Sequence, residues 1–100
     1  MREATVEAAF VRLMRRATLP CIKLNLMGNV GWPDRLVLLP GGRAAFVELK
    51  RPGGKLRPRQ EHVHAEIRKL GHAVGTFDDA IKAARWVIRT AARGLKTWRE

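Results

Sequence analysis

The sequence has 100 residues, of which 46% are hydrophobic, so it can build one hydrophobic core and has little room for a second domain. Its 20 Lys and Arg residues against 9 Asp and Glu give a formal net charge of +11 at pH 7, which favours a polyanionic partner. Nucleic acid is the first candidate and an anionic membrane the second, but we find no long apolar span and no secretory signal pattern.

The sequence contains one cysteine, Cys21, and a lone cysteine cannot form an internal disulfide. This favours a reducing interior, so we expect a cytoplasmic protein in which Cys21 is a small buried strand residue. No linker, internal repeat or low-complexity segment divides the chain, and we therefore expect residues 1–100 to form a single domain with no membrane association.

The first predicted elements are a helix over residues 3–16 and a strand over residues 21–26. Val6, Phe10 and Met14 recur at helical spacing in the first segment, and a proline follows it. The second segment alternates between apolar and polar residues, which is typical of a half-buried strand. A loop rich in glycine then leads to the next strand.

Within the first helix, Glu7 has no basic residue three or four positions away, so no local ion pair explains it. In one interpretation Glu7 is solvated, or is paired with an arginine from elsewhere in the fold. In the other it lies at the edge of the apolar face and points at the sheet. Spacing does not distinguish these interpretations.

A β-hairpin is predicted next, with strands at residues 34–39 and 44–50 on either side of a Gly-Gly turn. Asp34 opens the first strand and Glu48 lies near the end of the second. Because the open ends of antiparallel strands lie side by side, we expect the two carboxylates to meet. Side chains alternate between the faces of a strand, so Lys50 should share the face of Glu48.

The second half of the chain predicts a basic loop, a helix over residues 58–70, a strand over residues 72–77 and a final helix to about residue 93. Pro58 suits the first turn of a helix, and Asp78 is a good N-cap for the last one. The predicted order is αβββαβα. In the final helix we expect one buried stripe, formed by Ile81, Ala84, Ile88 and Ala91, and one basic stripe, formed by Lys82, Arg85, Arg89 and Arg93.

Two carboxylates at one end of a hairpin form a candidate metal site. Mg²⁺ and Mn²⁺ take carboxylate and carbonyl oxygens, which Asp34, Glu48 and the Leu49 carbonyl would supply. Glu7 could reach this site from the first helix. Such a metal would bind a scissile phosphate and acidify a water, which Lys50 would orient or deprotonate. The competing interpretation is structural, with Asp34 capping a turn and Glu48 paired with a neighbouring cation.

Two groups of basic residues are candidate phosphate contacts. They lie in the loop before the second helix and on the last helix, and could also be merely solvated. The candidates are Arg51, Lys55, Arg57, Arg59, Lys82, Arg85 and Arg89.

Pro33-Asp34, a hairpin and Glu48-Leu49-Lys50 resemble the signature of the PD-(D/E)XK nucleases. The finer pattern resembles the VRR-NUC (virus-type replication–repair nuclease) family, which has a helix Glu, a Gly-x-Pro-Asp step, a Glu-x-Lys strand end and a helix-opening Gln. The matching residues, in chain order, are Glu7, Gly31-Trp32-Pro33-Asp34, Val47-Glu48-Leu49-Lys50 and Gln60. With the predicted helices and strands around these residues, the resemblance covers residues 3–90, which is nearly the whole chain.

The resemblance implies an α/β fold with a restriction-endonuclease-like αβββαβ core, a mixed sheet and a C-terminal helix. It implies a metal-dependent DNA nuclease using Mg²⁺ or Mn²⁺ and selecting branched or junction DNA in replication, repair or recombination. Asp34, Glu48 and the Leu49 carbonyl would be metal ligands, Lys50 would be catalytic, and Glu7 and Gln60 would complete the site. The chain looks like the stand-alone viral or phage type, which acts in a prokaryotic cell or phage-infected host and tends to dimerise.

Five further histidine and tryptophan residues are not assigned to the candidate metal site. His62 and His64 face different ways on a helix and are expected at the surface. Trp32 either packs under the site or stacks on a base. Trp86, with Trp98 near the terminus, lies away from the expected core stripe, which favours either a homodimer interface or packing against a loop of its own chain.

Two other classes of protein share the basic composition: a non-catalytic nucleic-acid-binding module and a small structural protein of a ribonucleoprotein. Neither requires acids beside a phosphate, and without a metal those acids would repel DNA. The ordered set of two acids and a lysine therefore favours the nuclease.

Overall fold

The computed structural model describes residues 1–25, 27–28 and 30–98, with side chains given as far as residue 93. The elements are α1 (Glu3–Arg16), β1 (Cys21–Lys23), β2 (Arg35–Leu39), β3 (Arg43–Leu49), α2 (Pro58–Lys69), β4 (Ala73–Phe77) and α3 (Ala80–Trp98). This is the predicted order. Among the described residues, no helix is both long and apolar enough to cross a membrane.

The four strands form one mixed sheet in the order β1-β2-β3-β4. The first three strands are antiparallel, and β4 runs parallel to β3. The hairpin turn has Gly41 and Gly42 at φ of 84° and 74°, which residues with a Cβ rarely adopt. Strand β1 ends at Lys23, three residues before its predicted end, because Lys23 pairs with Arg35 and β2 begins there.

Helices cover both faces of the sheet, and the two faces differ in character. On one face, α1 and α3 enclose the larger core, with Phe10, Val47 and Leu49 fully buried in it. On the other face, α2 packs Val63 and Ile67 over the β3–β4 side of the sheet. By strand alternation, Glu48 faces α2 while its neighbours in β3 face the larger core.

The predicted buried stripe of α3 is correct at Ala84, which is 6% exposed, but wrong at its two isoleucines. Ile81 and Ile88 are 56% and 50% exposed, whereas Ala83, Val87 and Thr90 are buried. Apolar residues surround much of this helix, so two stripes offset by about 100° were both compatible with the pattern. The small side chains on the observed stripe fit between α3, α1 and the sheet, where two isoleucines would need more room.

The N-cap of α3 is Asp79 rather than the predicted Asp78. The Lys82 backbone N–H donates to Asp79 Oδ1 at 3.0 Å. Asp78 instead accepts a hydrogen bond of 2.9 Å from the Gly53 backbone N–H. The Asp78 carboxylate thus ties the basic loop before α2 to the end of β4.

Trp86 packs within its own chain. Its ring centroid lies 5.4 Å from that of Phe77, and a Cβ added at Gly75 would approach both rings. Trp86 therefore has a partner in its own chain, but the contact is with strand β4 and not with the predicted loop. The side chain of Trp98 lies outside the described residues.

Candidate active site at the open end of the hairpin

The Gly-x-Pro-Asp step places Asp34 at the open end of the hairpin. Gly31 has φ of 92°, and a Cβ there would lie 2.8 Å from the Arg59 carbonyl oxygen, so the loop passes directly against the start of α2. Pro33 is buried. Asp34 then accepts a 2.9 Å hydrogen bond at Oδ2 from the Leu49 N–H, which fixes its carboxylate beside the end of β3.

Glu48 lies beside Asp34 and is only 1% exposed. Burial raises the pKa of its carboxyl above the ordinary value. The Asp34 carboxylate raises it further, while His64 and Lys50 act in the opposite direction. Glu48 Oε1 is buried and has no hydrogen-bond partner among the described residues. The hairpin therefore brings the two predicted carboxylates together, and one of them carries an incompletely compensated charge.

Lys50 and Gln60 complete the group around Glu48. Lys50 Nζ donates a 2.8 Å hydrogen bond to Gln60 Oε1 and lies 3.9 Å from Glu48 Oε2. Gln60 Nε2 faces the same Glu48 oxygen at 3.4 Å. Gln60 Oε1 also accepts from the Arg57 N–H at 2.9 Å, so the side chain that holds Lys50 also caps the start of α2.

Glu7 has different partners from those of Glu48. Its Oε2 lies 2.7 Å from Lys23 Nζ and 2.8 Å from Arg35 Nε. Partial burial of Glu7 would raise its pKa, but the hydrogen bonds and charges of the two cations outweigh burial and lower it. This geometry matches the interpretation that an arginine from elsewhere in the fold pairs with Glu7. Its role as a metal ligand remains a prediction.

His64 belongs to this group, although the sequence placed it at the surface. It is 1% exposed, its Nε2 lies 3.4 Å from Glu48 Oε1, and its Nδ1 lies 3.5 Å from Thr76 Oγ1. The available signal was spacing, because residue 64 lies one helical turn after Gln60 and one turn before the apolar Ile67. His62 is exposed, as predicted.

The predicted phosphate contacts are all exposed. The four in or next to the loop before α2 lie on the side of Lys50 and Gln60, and one of them, Arg59, donates from Nε to the Val30 carbonyl at 3.3 Å. The three on α3 belong to a helix that packs on the opposite face of the sheet. Trp32 is 37% exposed, and its ring lies 6.2 Å from that of Phe46, so it packs partly on β3.

The donor set suits a hard divalent cation. Asp34 and Glu48 offer adjacent carboxylates, and the unpartnered Glu48 Oε1 is a buried acceptor that a cation would satisfy. Within the described part of the chain, no group of three or more His, Cys, Asp and Glu side chains is arranged to hold a metal. A metal here would therefore need further oxygens, such as the Leu49 carbonyl and water.

A mixed sheet with two acids and a lysine at the end of its central hairpin is the arrangement expected of the PD-(D/E)XK nucleases. A solved VRR_NUC domain superposes with a TM-score of 0.75 and 31% sequence identity, covering 87% of this chain and 94% of that chain. A protein of Acyrthosiphon pisum secondary endosymbiont phage 1, described as "Putative nuclease p44", is 41% identical to this chain over 78 residues. These residues are 78% of this chain and 84% of p44. No family sequence model matches the chain. The chain belongs to the VRR-NUC family, which confirms the family and fold class predicted from the sequence.

Proposed function

We propose that this nuclease is a divalent-metal-dependent deoxyribonuclease that hydrolyses phosphodiester bonds. The observation that carries the proposal is the meeting of Asp34, Glu48 and Lys50 at one point in a chain of net charge +11. A protein that only bound DNA would gain nothing from two acids near the phosphate. The raised pKa of Glu48 indicates a carboxylate that a cation would stabilise in its charged form.

Asp34, Glu48 and the Leu49 carbonyl would hold Mg²⁺ or Mn²⁺, with Glu7 as a further candidate from α1. When bound, such a metal supplies Lewis acidity toward the phosphate and lowers the pKa of a water. The chain's own residues prepare the site: the Leu49 N–H orients Asp34, and Gln60 orients the Lys50 ammonium toward Glu48. Lys50 would orient the attacking water and offset charge that develops on the phosphate.

The substrate we propose is DNA, with branched or junction DNA preferred, as in replication, repair or recombination. The excess of exposed Lys and Arg supports a phosphate-binding surface next to the site. The similarity to a phage protein supports a setting in a prokaryotic cell or phage-infected host.

We also propose a homodimer, since closed two-fold pairs are the commonest oligomers and would present two sites to a two-stranded substrate. The support now comes from Ile81 and Ile88, which lie two turns apart on α3 and are both about half exposed. Light scattering at micromolar concentration tests this, with a monomer mass of 11.3 kDa as the contradicting result.

Incubation of the purified protein with linear duplex, flapped, junction and RNA substrates, with Mg²⁺, Mn²⁺ or EDTA, tests the proposal. We expect cleavage of DNA with either metal, none with EDTA, and the highest rate on branched DNA. Metal-independent cleavage would contradict the metal role, and preferential cleavage of RNA would contradict the substrate.

A further inference from the structure

We propose that His64 is a positioning residue that holds the Glu48 carboxylate in its working orientation. The proposal extends the function proposed above, since it concerns how the site is held and not which reaction occurs. His64 is not part of the motif by which the family was recognised in this chain. Its side chain is nevertheless 1% exposed and aimed at Glu48.

Helix α2 faces both oxygens of the same carboxylate. Gln60 Nε2 lies 3.4 Å from Glu48 Oε2, and His64 Nε2 lies 3.4 Å from Glu48 Oε1. The two side chains are four residues apart, which places them one above the other on a helix. Contacts to both oxygens would fix the rotation of the carboxylate plane, which one contact alone would leave free.

The proton arrangement follows from the neighbours of His64. An ionised carboxylate only accepts hydrogen bonds, so we assign to His64 the tautomer whose hydrogen is on Nε2, facing Glu48. Nδ1 is then an acceptor, and the Thr76 hydroxyl, 3.5 Å away, is its available donor. Thr76 pairs with Glu48 in the parallel register of β3 and β4, so the two flank the imidazole from adjacent strands.

A packing role alone does not account for this arrangement. In the described part of the chain, His64 Nε2 and Glu48 Oε1 are the buried side-chain atoms without a hydrogen-bond partner, and they face each other. At 3.4 Å the contact is longer than a good N–H···O bond. Catalytic hydrogen bonds are often long before the site is loaded and shorten in the complex. An apolar residue would fill the same space without burying a polar ring.

The consequence is a specific loss when the ring is replaced. Removing an outer partner of a metal ligand typically lowers metal affinity or activity about 10- to 100-fold. We therefore expect His64→Leu to bind Mn²⁺ about 10- to 100-fold more weakly and to lose kcat, with little change in KM for DNA. The exposed His62 on the same helix provides the matched control, and His62→Leu should bind Mn²⁺ and cleave as the parent does.

Two polar variants test the geometry even if the leucine variant does not fold. A glutamine amide reaches about as far as imidazole Nε2, whereas an asparagine amide reaches only the Nδ1 position. His64→Gln should therefore retain Mn²⁺ affinity and kcat within a few-fold, and His64→Asn should not. If the ring merely fills space, the reach of the amide should not matter, and glutamine should not restore Mn²⁺ affinity where asparagine fails.

The decisive experiment is Mn²⁺ titration by calorimetry of the parent, His64→Gln, His64→Asn and His62→Leu, with DNA turnover measured in parallel. The proposal predicts parental affinity for His64→Gln and His62→Leu and weak binding for His64→Asn. Equal affinities for the glutamine and asparagine variants would overturn it, whether both match the parent or both fail. A parent that binds no Mn²⁺ would instead contradict the proposed metal-dependent function, which keeps the two failures distinguishable.

Discussion

Glu7 and Glu48 were both predicted to serve one metal site, but the structure gives them different surroundings. Glu7 is bonded to Lys23 and Arg35 at 2.7 and 2.8 Å, and its pKa is lowered. Glu48 is buried beside Asp34, one of its oxygens has no hydrogen-bond partner among the described residues, and its pKa is raised. A carboxylate that its own chain already neutralises has less need of an external cation than a carboxylate that lacks such partners.

The two acids also lie toward opposite faces of the sheet. Helix α1, which carries Glu7, packs on the face of the larger core, whereas Glu48 points toward α2. Glu7 contributes to stability in the folded chain, while an ionised Glu48 costs stability that a bound cation would restore. Carboxylates whose pKa is raised by burial and a neighbouring acid, such as that of Glu48, are concentrated at functional sites.

The largest expected effect is on cleavage. Asp34→Ala or Glu48→Ala should lower kcat at least about 100-fold, because each removes a proposed metal ligand. DNA affinity should be kept or increased, since a negative charge near the phosphate is lost. Initial rates and filter binding in Mg²⁺ measure both. Glu61→Ala, an exposed acid in the first turn of α2, is the control and should cleave at the parental rate.

Lys50→Ala should fold, bind metal and DNA, and lose about 100-fold or more in turnover of bound substrate, because a positioned proton-transfer group is removed. Single-turnover rates at saturating protein measure this loss directly. Lys55→Ala, on the neighbouring exposed loop, should weaken DNA binding and leave the single-turnover rate unchanged. Reversed behaviour of the two variants would reassign Lys50 to phosphate binding.

Without metal, glutamine substitutions should shift stability in opposite directions at the two acids. The folded state raises the pKa of Glu48 above its ordinary 4.5, so parental stability falls as pH rises through that range, and Glu48→Gln should be the more stable protein at pH 7. The folded state lowers the pKa of Glu7, whose contribution is present above 4.5 and lost as pH falls through the lowered value. Glu7→Gln should therefore be less stable at pH 7.

Thermal unfolding in EDTA at several pH values measures these shifts, and ~1 kcal/mol moves the midpoint of a domain of this size by about 4–8 °C. The difference of each variant from the parent should shrink toward acid pH. Equal signs for the two variants at pH 7 would contradict the contrast between the acids.

The smallest expected effect is a difference between two lysine variants in how DNA affinity depends on salt. Lys55→Ala should lower the slope of log affinity against log salt by about 1, because one phosphate contact is lost. Lys23 is paired with Glu7, so Lys23→Ala should leave that slope unchanged. A DNA affinity that hardly depends on salt in the parent would argue against the whole basic surface.

The sequence predicted the element order and the convergence of Asp34, Glu48 and Lys50, because local patterns determine both. Alternation sets the faces of a strand, a Gly-Gly turn closes a hairpin, and hairpin register brings the open ends together. The mixed sheet was predicted from the family resemblance. Gln60 was found through the family resemblance, and the structure places its amide against both Lys50 and Glu48.

What the sequence did not predict depends on contacts between distant elements. The rotation of α3 is determined by the space between α1 and the sheet, and the partners of Glu7 come from β1 and β2. The burial of His64 depends on how α2 packs over β3 and β4. Helical spacing shows only that His62 and His64 face different ways, and not which of them faces the sheet. These features require the tertiary arrangement.

We expect Glu48, far more than Glu7, to carry the charge that a divalent metal neutralises. Calorimetric titration of Mn²⁺ into the parent, Glu48→Gln and Glu7→Gln at neutral pH tests it most directly. We expect the parent to bind, Glu48→Gln to lose measurable binding, and Glu7→Gln to remain within about 10-fold of the parent. Parental affinity in Glu48→Gln, or an equal loss in Glu7→Gln, would contradict the account.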